Sequence, residues 1–262
     1  NDFYAQWLDS TMTYSAAVFD QGDPLDVAQR RKYAQMLALL DASPGQHILE
    51  IGCGWGGFAE YAARRGFRVT GITLSREQLN YARARTAKAG LAERVQLQLC
   101  DYRDFEGHVD HIVSIEMFEA VGRQYWQSYF STLSRCLRPG GRVALQVITI
   151  DDTYFDAYAA NPGGFIQTYI FPGGMLPPVE RLEQLAQDAG LVIEESYLHG
   201  HDYARTLKHW HRAFDACRDE ISALGFDEGF RRMWKYYLSY CETGFLLGRI
   251  DLLQLVLSSR EA

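Results

Sequence analysis

Short β-rich runs alternate with stretches of helical apolar spacing along much of this chain, and this order restricts the fold more than any other feature. The predicted strands cover residues 47–51, 68–74, 95–99, 109–115, 142–150, 191–198 and 251–258. The predicted helices between and after them cover residues 58–65, 76–89, 123–137 and 178–189. Strands that alternate with helices favour an α/β fold, in which a mostly parallel sheet carries helices on both faces.

Three segments lie outside this alternation. Residues 2–41 are predicted to be helical, residues 151–177 are rich in Tyr, Phe, Gly and Pro, and residues 202–248 form a helical stretch dense in aromatic side chains. Aromatic residues make up 13% of the chain, and these segments hold many of them. The simplest architecture is a single α/β domain, residues 1–262, whose helical insertions form a lid over one edge of the sheet.

Charge and cysteine usage exclude several classes of protein. The net charge of −7 argues against a nucleic-acid partner, because proteins that bind nucleic acid usually carry a clustered basic surface. We expect a soluble protein, because no run approaches the roughly 18 apolar residues of a membrane span. The five cysteines show no CxxC or Cys/His spacing, which favours reduced thiols, a cytoplasmic location and no metal site. Because the chain begins at Asn1 rather than Met, we expect a trimmed or processed protein.

A glycine-rich turn follows the first predicted strand. Glu50 precedes it, and Gly52, Gly54 and Gly57 fit the GxGxxG spacing of dinucleotide-binding proteins, which is weak evidence by itself. Glycines allow close approach of a ligand, and ligands bind at the carboxyl edge of such sheets. Glu50 changes the interpretation, because a carboxylate repels a pyrophosphate but attracts the ammonium and sulfonium groups of S-adenosylmethionine. The arrangement E-x-G-x-G-x-G is typical of methyltransferases that use this cofactor.

Residues after the second and third strands are predicted to complete the cofactor site. The acidic ribose partner usual after the second strand is missing, and Gln78 can hydrogen-bond the ribose hydroxyls instead. After the third strand, Asp101 can accept a hydrogen bond from the adenine amine and Tyr102 can stack on the base. For Asp101 and Asp104, turn or helix-capping chemistry is the alternative.

Further segments match one enzyme family in order, including the irregular insertions. They are NDFY at 1–4, MTYS at 12–15, LEIGCGWGG at 49–57, GITLS at 71–75, DYRD at 101–104, MFEAVG at 117–122, YIFPGG at 169–174, DY at 202–203, TL at 206–207 and YYL at 236–238. On these segments the chain resembles the cyclopropane fatty acid synthases, including the mycolic acid cyclopropane synthases, along essentially its whole length.

The resemblance implies a Rossmann-like class I methyltransferase with a seven-stranded sheet. Residues 1–41 would then form an N-terminal helical cap, residues 42–150 the cofactor-binding core, and residues 151–177 and 202–248 the substrate-covering insertions. The implied reaction transfers the methyl group of S-adenosylmethionine to the double bond of an unsaturated fatty acyl chain. An alkene is a weak nucleophile, so such an enzyme must align it, exclude water and stabilise a carbocation, for which aromatic faces are suited.

The resemblance also implies the site residues. In the family a bound bicarbonate takes the proton that leaves the transferred methyl group, held by a glutamate and a tyrosine that correspond to Glu119 and Tyr203. The predicted catalytic residues are Ala16, Glu119, Gln146, Ile148, Tyr203 and Cys241. The predicted cofactor-binding residues are Tyr14, Ser15, Glu50, Gly52, Gly54, Gly57, Thr73, Leu74, Gln78, Asp101, Tyr102 and Arg103.

Two departures from the family pattern affect the last step. Ala16 stands where the family has a cysteine, and Gln146, which cannot titrate, stands where it has a histidine. Ring closure is therefore less secure than methyl transfer, and a methylene- or methyl-branched product competes with it. C-methylation of another alkene-containing small molecule is a further candidate activity, and a non-catalytic lipid-binding protein is a candidate from a different class.

The family's substrates suggest the partners. We expect an unsaturated acyl chain, carried in a phospholipid, and a peripheral contact of the aromatic insertions with the inner face of the membrane. A carrier-bound chain is the alternative substrate, and a homodimer is a further expectation.

Overall fold

The computed structural model describes residues 1–161 and 163–259; Pro162, within the predicted 151–177 insertion, and residues 260–262 lie outside the described residues. The strands are β1 His47–Ile51, β2 Arg68–Thr73, β3 Val95–Leu99, β4 His111–Ile115, β5 Arg142–Ile150, β6 Leu191–Leu198 and β7 Ile250–Ser259. The helices are α1 Asp2–Ala5, α2 Leu25–Leu39, α3 Gly57–Ala63, α4 Arg76–Lys88, α5 Trp126–Cys136, α6 Asp152–Ala160, α7 Phe165–Tyr169, α8 Val179–Asp188, α9 Gly200–Ala216, α10 Arg218–Ala223 and α11 Glu228–Leu246.

These strands form one mixed, mostly parallel sheet in the order β3-β2-β1-β4-β5-β7-β6. Strands β1 to β5 pair in parallel, and β7 runs antiparallel to both β5 and β6. The prediction of a mostly parallel seven-stranded α/β fold is confirmed. The chain reverses its order between β1 and β4, and the carboxyl ends at such a switch point are where ligands bind.

Helices cover both faces of the sheet, so its central strands are buried on both sides. Alternate residues of β1 enter different cores: Leu49 packs with Phe130 and Leu185, whereas Ile48 packs with Met36 and Phe58. Helices α5 and α8 therefore cover one face, and α2, α3 and α4 cover the other.

A third hydrophobic cluster joins the insertions to the N-terminal segment. Trp7 packs among Trp210 and Phe214 of α9 and Trp234 of α11, and Leu252 of β7 closes the cluster against the sheet. In the 151–177 insertion, the Phe165 ring meets the Tyr236 ring edge-on at 4.7 Å between centroids, which attaches α7 to α11. No helix in the described part of the chain is long and apolar enough to cross a membrane.

The prediction of a helix through residues 2–41 is wrong for residues 6–24, which form turns and extended chain between α1 and α2. The β-branched Thr11 and Thr13 disfavour helix, and the backbone of this segment is used for contacts across the molecule. The Ala17 N–H donates to Thr206 Oγ1 at 3.0 Å, and the Ser15 carbonyl accepts from Gln29 Nε2 at 2.8 Å. Tertiary hydrogen bonds thus replace helical ones.

Candidate active site

A cavity of about 500 Å³ opens at the carboxyl ends of β1, β2, β3 and β4, beneath the N-terminal segment. The twelve residues predicted to bind the cofactor all line it: Tyr14, Ser15, Glu50, Gly52, Gly54, Gly57, Thr73, Leu74, Gln78, Asp101, Tyr102 and Arg103. The structure thus brings together residues from several separate stretches of sequence. That they bind the cofactor stays a prediction.

The glycine turn has the backbone geometry that its sequence indicates. Gly52 and Gly54 have φ of 83° and 51°, a region that L side chains rarely adopt. A Cβ at Gly54 would meet no atom of the described chain within 4 Å, so this residue faces open cavity, whereas a Cβ at Gly57 would overlap the Tyr33 hydroxyl. Gly56, which the GxGxxG spacing does not include, has φ of 78° and caps α3. The glycine turn is therefore open towards the cavity.

Glu50 is the buried acid of this cavity. It is 4% exposed, and its Oε2 accepts no hydrogen bond from any described residue. Burial raises the pKa of Glu50 to about 8. A buried carboxylate oxygen without a donor is costly, and it is suited to a cationic ligand. The fully buried Lys32 lies nearby, and its Nζ donates to Ser15 Oγ at 2.6 Å. Burial lowers the Lys32 pKa to about 7.

The loop after β3 follows the turn chemistry that was the alternative for Asp101. Its carboxylate accepts from the Arg103 backbone N–H at 2.9 Å and from the Arg103 guanidinium at 2.7 Å, so Asp101 caps a 3₁₀ turn at Tyr102–Asp104. Asp101 still lines the cavity, and Asp104 does not. After β2, Ser75 caps α4 by accepting from the Gln78 N–H at 3.2 Å, and Gln78 lines the cavity.

A second acid of the cavity, Glu116, collects three donors from distant parts of the chain. The Ala16 N–H and the Gln146 amide donate to its Oε1 at 2.8 and 2.7 Å, and the Tyr203 hydroxyl donates to its Oε2 at 2.6 Å. Glu116 directly follows β4 and has φ of 50°, which is uncommon for a residue with a side chain. Burial raises the Glu116 pKa, while the Tyr203 hydrogen bond and the charge of Lys32 oppose that rise.

Glu119, the predicted catalytic acid, has a different set of contacts. Its Oε1 accepts from the Ile148 backbone N–H at 2.5 Å, and its Oε2 has no partner in the described chain. Burial, reinforced by the neighbouring charge of Glu116, raises the Glu119 pKa to about 8. Two adjacent carboxyl groups with different hydrogen bonding are expected to differ in protonation. Glu116, with three donors, is the more readily ionised of the two.

Cys241, Tyr203, Tyr237 and Phe245 belong to the 202–248 insertion, which contacts Glu116 through Tyr203. Tyr203 stacks on Phe245 with centroids 4.3 Å apart, and the Tyr14 and Tyr237 hydroxyls share a hydrogen bond of 2.9 Å. Burial raises the Cys241 pKa to about 12, so its thiol stays protonated and weakly nucleophilic. The described lining of the cavity does not include the six predicted catalytic residues; Ala16, Gln146 and Tyr203 are connected to it through Glu116.

The model of the mycolic acid cyclopropane synthetase family matches residues 1–255 of this chain. The chain belongs to this family.

One relative of this family member is tuberculostearic acid methyltransferase UfaA1 of Mycobacterium tuberculosis (strain ATCC 25618 / H37Rv). The two sequences are 45% identical over 264 residues, which cover 97% of this chain and 61% of the relative. Cyclopropane-fatty-acyl-phospholipid synthase of Escherichia coli (strain K12) is 38% identical, over 98% of this chain and 65% of the relative. The chain thus spans less than two thirds of the length of these curated relatives.

A solved structure of mycolic acid cyclopropane synthase CmaA1, complexed with SAH and CTAB, superposes on this family member with a TM-score of 0.91 at 31% identity. The match covers 98% of this chain and 93% of the other. The prediction of the family from the sequence is confirmed, and with it the Rossmann-like methyltransferase fold.

The cavity of this family member fits S-adenosylmethionine by the chemistry of its lining. The Oε2 of Glu50, to which no described residue donates, suits an ammonium group. The open side of Gly54 admits a ligand against the backbone, and Tyr102 offers a ring for a base. Reasoning from sequence missed Glu116 and Lys32. The signal for Glu116 was an acid directly after a central strand, at the edge where ligands bind; Lys32 had no such signal, because its helical neighbours make it look solvated.

Proposed function

We propose that this chain catalyses transfer of the methyl group of S-adenosylmethionine to the double bond of an unsaturated fatty acyl chain. The observation that carries the proposal is the buried oxygen of Glu50, which has no donor among the described residues, in a cavity built on the glycine turn. The names of the relatives support the acyl substrate: one is a cyclopropane-fatty-acyl-phospholipid synthase and another a tuberculostearic acid methyltransferase. The SAH in the CmaA1 structure supports the cofactor.

S-adenosylmethionine supplies an electrophilic methyl group on its sulfonium. Glu50 binds the ammonium group, and the glycine turn lets the cofactor lie against the backbone. The rings of Tyr14, Trp210, Tyr203 and Phe245 lie within 6.2 Å of at least one other ring of this set, so they exclude water from the far side of Glu116. The π face of Tyr14, the ring of this set that lines the cavity, also stabilises positive charge that develops on the acyl chain.

The product is a ring or a branched chain. A methylene- or methyl-branched product is favoured by the 45% identity to a tuberculostearic acid methyltransferase, whereas the cyclopropane synthases among the relatives favour a ring. Up to the loss of the proton, the same residues of this chain act whichever of the two products forms.

The test is incubation with S-adenosylmethionine carrying a trideuterated methyl group and phospholipids with mixed unsaturated chains. Mass spectrometry of the released fatty acids reports the gain of label, and NMR separates a cyclopropane from an exocyclic methylene. Retention of two deuterium atoms shows that the proton leaves the transferred methyl, and retention of three shows that it leaves the chain. A matched reaction with carrier-bound or free acyl chains identifies the form of the substrate.

The competing functions make different predictions in the same assay. If binding of the cofactor is measurable by calorimetry but no acyl chain gains label, C-methylation of another alkene replaces the proposal. If the cofactor does not bind, a non-catalytic lipid-binding role replaces it.

We also propose that the enzyme meets its substrate as a peripheral protein at the inner face of the membrane. Tyr169, Tyr236 and Tyr240 are each more than half exposed, and Phe165 connects them: its ring centroid lies 5.7, 4.7 and 6.4 Å from theirs. Tyrosines at a surface favour the interface between lipid and water.

A further inference from the structure

The bicarbonate site that the family resemblance implies is already filled by carboxylates of this chain. The Ala16 N–H, the Gln146 amide and the Tyr203 hydroxyl all donate to Glu116, at 2.6 to 2.8 Å. The Ile148 N–H donates to Glu119 at 2.5 Å. The family resemblance assigns the anion to Glu119 and Tyr203, and all four donor groups belong to residues predicted to be catalytic. Each backbone or hydroxyl donor has a single hydrogen to give. A bicarbonate ion therefore does not fit beside them.

We propose that the Glu116 carboxylate is the general base of the reaction and takes the proton that a bound bicarbonate would otherwise take. This inference rests on the proposed function. In the step, a C–H bond of the transferred methyl group breaks, and its electron pair forms the third bond of the ring or, after a hydride shift along the chain, an exocyclic double bond. The proton forms an O–H bond with Glu116, and the positive charge on the acyl chain is discharged.

The surroundings of Glu116 suit it to this role. Three donors and the charge of Lys32 oppose the rise of the Glu116 pKa that burial causes, while Glu119 beside it accepts from one donor among the described residues. Glu116 lines the same cavity as Tyr14, Ser15 and Glu50, so it faces the place where a methyl group would arrive. Two helices hold the Glu116 side chain in place. Tyr203, which donates to Glu116, belongs to α9 and stacks on Phe245 of α11.

The strained backbone at Glu116 gives a second reason to assign it a function. A φ of 50° at a residue with a side chain disfavours folding unless the position is needed, and such residues cluster at active sites. Glycine at this position would relieve the strain and would also empty the space of the carboxylate. The variant Glu116→Gly should therefore fold and expose the three donors to an added anion.

Binding of bicarbonate tests the site without any turnover. We would follow ¹³C-labelled bicarbonate by NMR line broadening with the wild type, Glu116→Gly and Glu116→Gln. Broadening is expected with Glu116→Gly alone and should disappear when Tyr203→Phe is added to it. Broadening with the wild type that Tyr203→Phe removes would overturn the inference, and so would a Glu116→Gly variant, folded by circular dichroism, that binds no bicarbonate.

Turnover tests the role of the proton acceptor. Removing bicarbonate from the buffer should leave the wild-type rate unchanged, and Glu116→Gln should lower kcat by about 100-fold or more with unchanged cofactor affinity. Added bicarbonate should restore activity to Glu116→Gly, and the exposed control Glu183→Gln should match the wild type. A wild type that needs bicarbonate, or a Glu116→Gln variant within about threefold of its rate, would overturn the inference. If the wild type forms no acyl product, the proposed function is refuted instead. The NMR measurement of bicarbonate binding then decides whether the inference about Glu116 holds.

Discussion

Glu50 shows at the scale of one residue how burial prepares a cavity for a cation. The side chain is 4% exposed, and Oε2 lacks a donor among the described residues. Because burial raises the pKa of Glu50 to about 8, most of the population carries a protonated Glu50 at pH 7. A bound ammonium group favours the ionised form and lowers this pKa.

We therefore expect binding of the cofactor near pH 7 to release a proton from Glu50, and affinity to rise with pH towards about 8. Calorimetry with S-adenosylhomocysteine in two buffers of different ionisation enthalpy measures the release. Glu50→Gln should weaken binding and remove this proton, while the exposed Glu183→Gln should change neither. Equal proton release by the wild type and Glu50→Gln would contradict the assignment.

Two glycines of the same turn are expected to differ in what they support. An alanine Cβ at Gly57 would overlap the Tyr33 hydroxyl, so Gly57→Ala should lower the free energy of unfolding by about 1–3 kcal/mol. The new Cβ of Gly54→Ala meets no atom of the described residues within 4 Å, so this variant should cost about 1–2 kcal/mol from its positive φ alone. Its methyl group would occupy the cavity, however, so it should lose more cofactor affinity than Gly57→Ala. Urea unfolding and calorimetry separate the two effects, and an identical profile for both variants would refute the distinction.

At the scale of elements, helices α9 and α11 cover the site, and α11 has one buried face and one exposed face. Trp210 of α9 and Leu238 of α11 are fully buried, whereas Tyr236 and Tyr240 of α11 are 54% and 53% exposed. The same helix thus supplies both core packing and a surface of rings. A helix packed in this way is stabilised mainly by tertiary contacts and not by propensity.

Substitutions on the two faces of α11 should separate these roles. Leu238→Ala should lower the free energy of unfolding by about 2–5 kcal/mol, because it leaves a cavity in the core. Tyr240→Ala, on the exposed face, should change it by about 0.5 kcal/mol or less. Urea unfolding followed by tryptophan fluorescence measures both, and a Tyr240→Ala loss as large as that of Leu238→Ala would show that the exposed face is packed.

At the scale of the whole molecule, charge and surface rings act in opposite directions on membrane binding. The net charge of −7 repels an anionic bilayer, so any attraction must come from apolar contact of Tyr169, Tyr236 and Tyr240. Such contact depends little on salt, whereas a basic patch would lose affinity as salt rises.

We expect co-sedimentation with phosphatidylethanolamine and phosphatidylglycerol vesicles that persists or increases when salt is added. The double variant Tyr236→Ser with Tyr240→Ser should lower the bound fraction, and Leu224→Ser, which removes an exposed apolar residue after α10, serves as the matched control. Loss of binding in high salt, or equal loss in the control, would argue against a membrane contact through these tyrosines.

The order of strands and helices, the glycine turn and the family could be inferred from the sequence alone, because they rest on local periodicity, on backbone freedom at Gly52 and Gly54, and on short motifs. The contacts of the acids could not. Glu116 meets Ala16, Gln146 and Tyr203 across 100, 30 and 87 residues of chain, and residues 6–24 lose their predicted helix to similar long-range hydrogen bonds. Which carboxylate receives which donor depends on how strand ends and insertions meet, and only the tertiary structure decides that.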